Sequence, residues 1–314
     1  MTRVNSTANY YKSGEDSLGW ELTVSNALYP ADSPCRKLLK RVASYGDLLY
    51  DHLSLFVPMQ KVRSLLEIGG GYGYVMKDLL IRNPSMAVTM VDISPRFSGI
   101  QSQTLKNYPV DYVVADFMEL DPSYFARKDL AILNENLGDF PTLLDVPRTI
   151  FQEPPPNPLE RRVRELFTRY SLEIPGTATF NFNLGAVEAV EKLCASGISY
   201  IFMGEHSCEA EAPERYRRLL SVSSSHQPER IPLKGHDEYT IKFSYLEKVA
   251  AFYRYSTRRG PFADFLQVEW SDRLRRLMAS PSLADDESEI IRHFVEDLYK
   301  YEYLILVRRV CEGN

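Results

Sequence analysis

The run Ser64-Leu65-Leu66-Glu67-Ile68-Gly69-Gly70-Gly71-Tyr72-Gly73 constrains this chain more than any other stretch. Three apolar residues and an acid lead into a glycine cluster, and Tyr74-Val75-Met76-Lys77-Asp78-Leu79-Leu80 then carries apolar residues at helical spacing. The pattern predicts strand, tight turn, helix. Glycine removes the β-carbon that would hold a ligand away from the turn, and it accepts backbone angles that other residues avoid. The helix that follows directs free N–H groups at whatever binds there.

A dinucleotide fingerprint reads G-x-G-x-x-G, whereas this turn reads E-x-G-x-G-x-G with the acid at the strand end. An acid facing the ligand repels a pyrophosphate and suits an amino-acid moiety carrying an ammonium group. The stretch resembles motif I of the class I S-adenosylmethionine (SAM) methyltransferases. That resemblance implies SAM as cofactor, held around Glu67, Gly69, Gly70, Gly71 and Gly73. Two more strands end in acids at matching intervals of roughly 25 residues, about one strand–helix–strand unit. Met86 to Asp92 ends in Asp92, followed by Ile93, and a carboxylate there can accept from both ribose hydroxyls. Asp111 to Phe117 ends in Asp116-Phe117, where methyltransferase-like sites hold the adenine amino group and ring.

The implied fold class is α/β: a Rossmann-like, mostly parallel sheet with helices on both faces, a helical N-terminal addition and a helical cover. The expected division is 1–60 for an N-terminal arm and helices, and 61–314 for the SAM-binding domain, with the cover inserted at about 207–298. Within the arm, Tyr10-Tyr11 are candidates for a lid. The formal net charge of −5 gives no broad basic field, so a nucleic-acid partner is not expected. Residues 1–7 contain no apolar leader and no run approaches membrane-spanning length, so a cytoplasmic protein with no membrane partner is expected. Cys35, Cys194, Cys208 and Cys311 are scattered, and the five histidines have no ligand-like spacing; free thiols and no metal are expected.

The fourth strand, Asp129 to Leu133, leads into Asn134-Glu135-Asn136-Leu137-Gly138-Asp139-Phe140-Pro141. In a doubly wound sheet, chemistry takes place beyond the carboxyl ends of the strands. Glu135, Asn134 and Asp139 are therefore the candidate catalytic residues, Asn134 also touching the cofactor. Carboxylates suit a guanidinium, whose planar donors they grip in bidentate fashion. The loop resembles the start of the double-Glu loop of protein arginine methyltransferases, with Glu135 matching the first Glu. The order of features is most similar to the MidA-like family, through Glu67 to Gly73, Asn134-Glu135 to Pro141, Gly204-Glu205, and Gly235 to Leu246. Members include a mitochondrial complex I assembly methyltransferase acting on protein arginine. The acceptor remains open between protein arginine and a small molecule methylated on O or N, as does a non-catalytic SAM-binding assembly factor. His206, after a fifth strand from Ser199 to Met203, is a candidate general base.

Overall fold

The computed structural model describes residues 2–13, 23–155, 157–280 and 285–309. Seven strands form the central sheet: β1 (Ser64–Ile68), β2 (Ala87–Asp92), β3 (Val110–Val114), β4 (Leu130–Asn134), β5 (Tyr200–His206), β6 (Tyr255–Pro261) and β7 (Tyr301–Arg308). Their order is β6-β7-β5-β4-β1-β2-β3. The strands β5, β4, β1, β2 and β3 run parallel, and β7 runs antiparallel to both β5 and β6.

The inner strands are mostly apolar because both faces are covered, with polar residues gathered toward their carboxyl ends. Successive side chains point to opposite faces. Leu65, Leu130 and Ile132 accordingly join one core, while Leu66, Ala131 and Leu133 join the other. Helices Tyr45–Leu53, Tyr74–Arg82 and Asp286–Lys300 supply the first core. Helices Pro158–Tyr170, Leu184–Ala195 and Phe243–Phe252 supply the second. This is the α/β architecture the sequence predicts.

Several details differ from the sequence reading. The arm does not hang loose: Arg3–Asn5 pairs antiparallel with Thr142–Pro147, which pairs with Thr179–Phe182 in a separate three-stranded sheet. Of the arm, residues 14–18 lie outside the described residues. Gly46 sits in the first turn of Tyr45–Leu53, where an added β-carbon would come within 2.7 Å of Asp78 Cβ, so it permits close packing on Tyr74–Arg82. Within the expected cover, residues 243–261 build a helix and the edge strand β6 of the main sheet. The remainder includes the hairpin Arg230–Pro232/Asp237–Tyr239 and the helix Asp272–Ala279. Cys35, Cys194 and Cys208 are free and buried; Cys311 lies outside the described residues. Among the described residues no helix is long and apolar enough to cross a membrane.

Candidate functional site

A cleft opens at the carboxyl ends of β1, β2 and β4. Glu67, Gly69, Gly70, Gly71, Asp92, Ile93, Asp116, Phe117, Asn134, Glu135 and Asp139 all line it; Gly73 does not. Gly73 caps the next helix instead, with φ of 78°. Gly69 and Gly71 also have positive φ, at 62° and 52°, so the chain turns back sharply over the end of β1.

The carboxylates in this cleft have different neighbours. Glu67 is 2% exposed, and its Oε2 has no hydrogen-bond partner among the described residues. Burial, reinforced by Asp92, pushes its pKa up to about 8. Asp92 accepts from Ser94 N at 2.9 Å and from Gln101 Nε2 at 2.7 Å. Asp116 caps the short turn Phe117–Glu119 by accepting from Met118 N at 2.9 Å, and Lys12 Nζ lies 3.8 Å from it.

Beyond β4, Asn134 accepts from the Tyr45 hydroxyl at 2.5 Å and donates to Glu135 Oε1 at 2.9 Å. Glu135 takes a left-handed backbone, φ 56°, uncommon for a residue with a β-carbon. Its carboxylate accepts from Val24 N at 2.7 Å and Ser25 N at 3.1 Å. The side chain expected to face an acceptor therefore also anchors the helix Val24–Ala27 beside the cleft. Burial raises its pKa against those hydrogen bonds. Asp139 is raised further, by burial and by Glu238, with His236 opposing.

Several lining residues escaped the sequence reading. Asn136 donates to the Ile68 carbonyl, tying the loop after β4 to the end of β1, and its Oδ1 lacks a partner among the described residues. An asparagine one residue beyond a candidate catalytic pair was the available signal. Ser6, Thr7 and Ala8, together with the lid candidate Tyr11, bring the arm over the opening, with the Thr7 hydroxyl donating to the Asp139 carbonyl at 2.9 Å. Tyr10 faces elsewhere and stacks on His236, centroids 4.3 Å apart. His206 does not line the cleft: its ring packs on Tyr301 at 3.8 Å.

No protein-family model matches the chain, and no curated protein matches it. Among solved structures, an uncharacterized ACR superfamily protein from Burkholderia thailandensis is similar at TM-score 0.56 and 12% identity, over 97% of this chain and 87% of that one. The fold is the Rossmann-like fold of the class I methyltransferases. The plantazolicin methyltransferase BpumL, in complex with a desmethylPZN analog and SAH, is similar at TM-score 0.45 and 12% identity, over 97% of this chain and 95% of that one. An O-methyltransferase family protein from Burkholderia thailandensis is similar at TM-score 0.43 and 12% identity over 84% of this chain, which spans 56% of that protein's length.

Proposed function

We propose that this chain is a SAM-dependent methyltransferase of the cytoplasm. The observation that carries the reading is the acidic lining of the cleft. Glu67, Asp92, Asp116, Glu135 and Asp139 line it, and none of its described lining residues is Lys or Arg. Such a lining disfavours phosphates and favours a ligand with positive charge, and SAM carries both a sulfonium and an ammonium. Glu67 Oε2 and Asn136 Oδ1, buried acceptors without partners among the described residues, suit the ammonium donors. Asp92 stands at the strand end where a carboxylate can accept from ribose hydroxyls, and Phe117 offers a ring face for adenine. Calorimetric titration is the test: SAM and S-adenosylhomocysteine should each bind one per chain, and failure of the folded protein to bind either rejects the reading.

The sulfonium supplies the leaving group, so the protein chiefly aligns nucleophile, methyl and sulfur and excludes water. Asn134, Glu135 and Asp139 stand where the methyl would be presented. The similarity of the Asn134-Glu135 loop to the MidA-like family supports protein arginine as acceptor, gripped by lone pairs of Glu135 that the Val24 and Ser25 amides leave free. In Glu135→Gln an NH2 group replaces one accepting oxygen. A hydrogen bond to a charged group contributes about 1.5–3 kcal/mol, so the acceptor-dependent rate should fall by about ten- to over a hundred-fold. SAM affinity should change by less than about threefold where only the acceptor contact is lost; a larger change reports instead on the Val24 and Ser25 amides that the same carboxylate holds. Unchanged initial rates reject this role for Glu135.

A small-molecule acceptor is the second reading, favoured by the aromatic rings of Tyr11, Tyr72 and Phe97 around the cleft, with Phe97 5.7 Å from Tyr72 and 6.3 Å from Tyr11. Isotope transfer from labelled SAM into a host lysate separates the two. Methylarginine in protein supports the first, label in a small metabolite the second, and no transfer supports a binding protein.

A further inference from the structure

Where the arm, the loop after β4 and the hairpin Arg230–Pro232/Asp237–Tyr239 meet, three side chains converge that the sequence holds far apart. His236 Nε2 lies 3.8 Å from Asp139 Oδ1 and 3.5 Å from Glu238 Oε1. One donor atom from each of the three falls within 4.8 Å of the other two. The imidazole is 4% exposed, and Asp139 Oδ1 is buried without a hydrogen-bond partner among the described residues. The two contacts to the imidazole are too long for good hydrogen bonds. They match the separation of neighbouring ligands around one ion with metal–ligand bonds of about 2.0–2.2 Å. We propose that Asp139, His236 and Glu238 hold a divalent first-row metal ion of the zinc type at the edge of the cleft.

The surroundings fit a built site. Two carboxylates and one imidazole form a hard-to-borderline donor set suited to zinc or manganese. Tyr10 stacks on the imidazole and fixes its plane. Gly235, at φ 98°, leaves room for that stacking, since a β-carbon there would come within 2.8 Å of the Tyr10 ring. The Tyr11 hydroxyl lies 3.4 Å from His236 Nε2, the nitrogen that faces the two carboxylates, and so stands where a further oxygen could approach the ion, while Thr7 holds the Asp139 backbone. Glu205, 2% exposed and engaged by Gly138 N at 3.1 Å, adds a further buried carboxyl group near Glu238. A cation relieves the repulsion among these acids. The expectation of no metal failed to register the cluster because only His236-x-Glu238 is local in sequence, a spacing that puts both side chains on one side of an extended segment. Asp139 also lines the cleft, so open positions on the ion can take an oxygen of the acceptor; that role rests on the methyl-transfer reading, whereas metal binding does not.

The test is titration of metal-stripped full-length protein with zinc chloride, read by calorimetry and by elemental analysis of the dialysed complex. One zinc per chain is expected. Loss of an outer contact to a metal ligand costs roughly 10–100-fold in affinity, and loss of a ligand at least as much, so His236→Ala should weaken zinc by about 100-fold or more. Glu238→Gln, nearly isosteric, should weaken it by at least about tenfold and keeps the comparison available if the alanine variant does not fold. SAM titration of the same samples reports separately on the cleft. Absence of stoichiometric zinc in the wild type, or wild-type zinc affinity in both variants, overturns the proposal.

Discussion

Titrated with SAM at pH 7 in buffers of different ionisation enthalpy, the protein will release close to one proton per ligand bound, and Glu67→Gln will release none. Buried Glu67 has a pKa near 8, so at pH 7 the free protein holds it mostly protonated. An ammonium group arriving at its unpartnered oxygen favours the carboxylate, and the proton leaves. Affinity should therefore rise roughly tenfold from pH 6 to pH 7. It should level off near pH 8, where the ligand's own amino group, with a reference pKa of about 7.7–8.0, begins to lose its charge. Stability moves in the opposite direction. Between the ordinary glutamate value of 4.5 and about 8 the folded state binds more protons than the unfolded one, so unfolding free energy falls as pH rises through that window. For Glu67 the full loss is as much as about 5 kcal/mol. Glu205 and Asp139 are also raised and contribute to the same slope. The difference between wild type and Glu67→Gln isolates the Glu67 share. Heats independent of buffer at undiminished affinity would mean that Glu67 meets no cation on the ligand.

Gly69→Val should abolish detectable SAM binding and lower stability by about 2–5 kcal/mol. The left-handed backbone at φ 62° costs an L-residue about 1–2 kcal/mol. Overpacking adds about 1–3 kcal/mol. A β-carbon there would come within 2.5 Å of Asn136 Nδ2, the group that ties the loop after β4 to the Ile68 carbonyl. Displacing Asn136 also moves Asn134 and Glu135, which precede it. Gly99→Ala is the contrasting substitution. It lies in helix Pro95–Thr104 with nothing within 4 Å of the added carbon, so it should be neutral or stabilising by up to about 1 kcal/mol. Urea unfolding of both variants with SAM titration makes the comparison. A stable, SAM-binding Gly69→Val would show that the turn tolerates what its geometry excludes.

The parts of this protein that were legible in sequence are those written locally. Ser64 to Arg82 encodes a strand, a turn and a helix in one short stretch, and Asp92 and Asp116 stand at or just beyond strands whose apolar runs announce their ends. The small sheet was not legible. Arg3–Asn5 is three residues long, and Thr142–Pro147 includes Asp145 at φ 55°, with a register irregularity between Leu143 and Val146. Such strands exist through their partners. The edge strand Tyr255–Pro261 reads as polar because it contains Ser256, Thr257, Arg258 and Arg259 and is covered less completely than the inner strands. Glu135 was recognised as special, but no sequence spacing links it to the amides of Val24 and Ser25. Anchor and candidate catalytic group are the same side chain, which only the folded chain reveals.

The reversal of β7 has a consequence for how the protein can diversify. Because β7 runs against β5, its first residue, Tyr301, pairs with the last residue of β5, His206, at the edge where β1, β2 and β4 end. One half of that edge is thus drawn from residues 64–134 and the other from residues 200–206 and 301–303, segments far apart in sequence. No described residue of the later segments lines the cleft, so that side of the edge can change, by drift or recombination, while the glycine turn and its carboxylates keep the ligand cradle as it is.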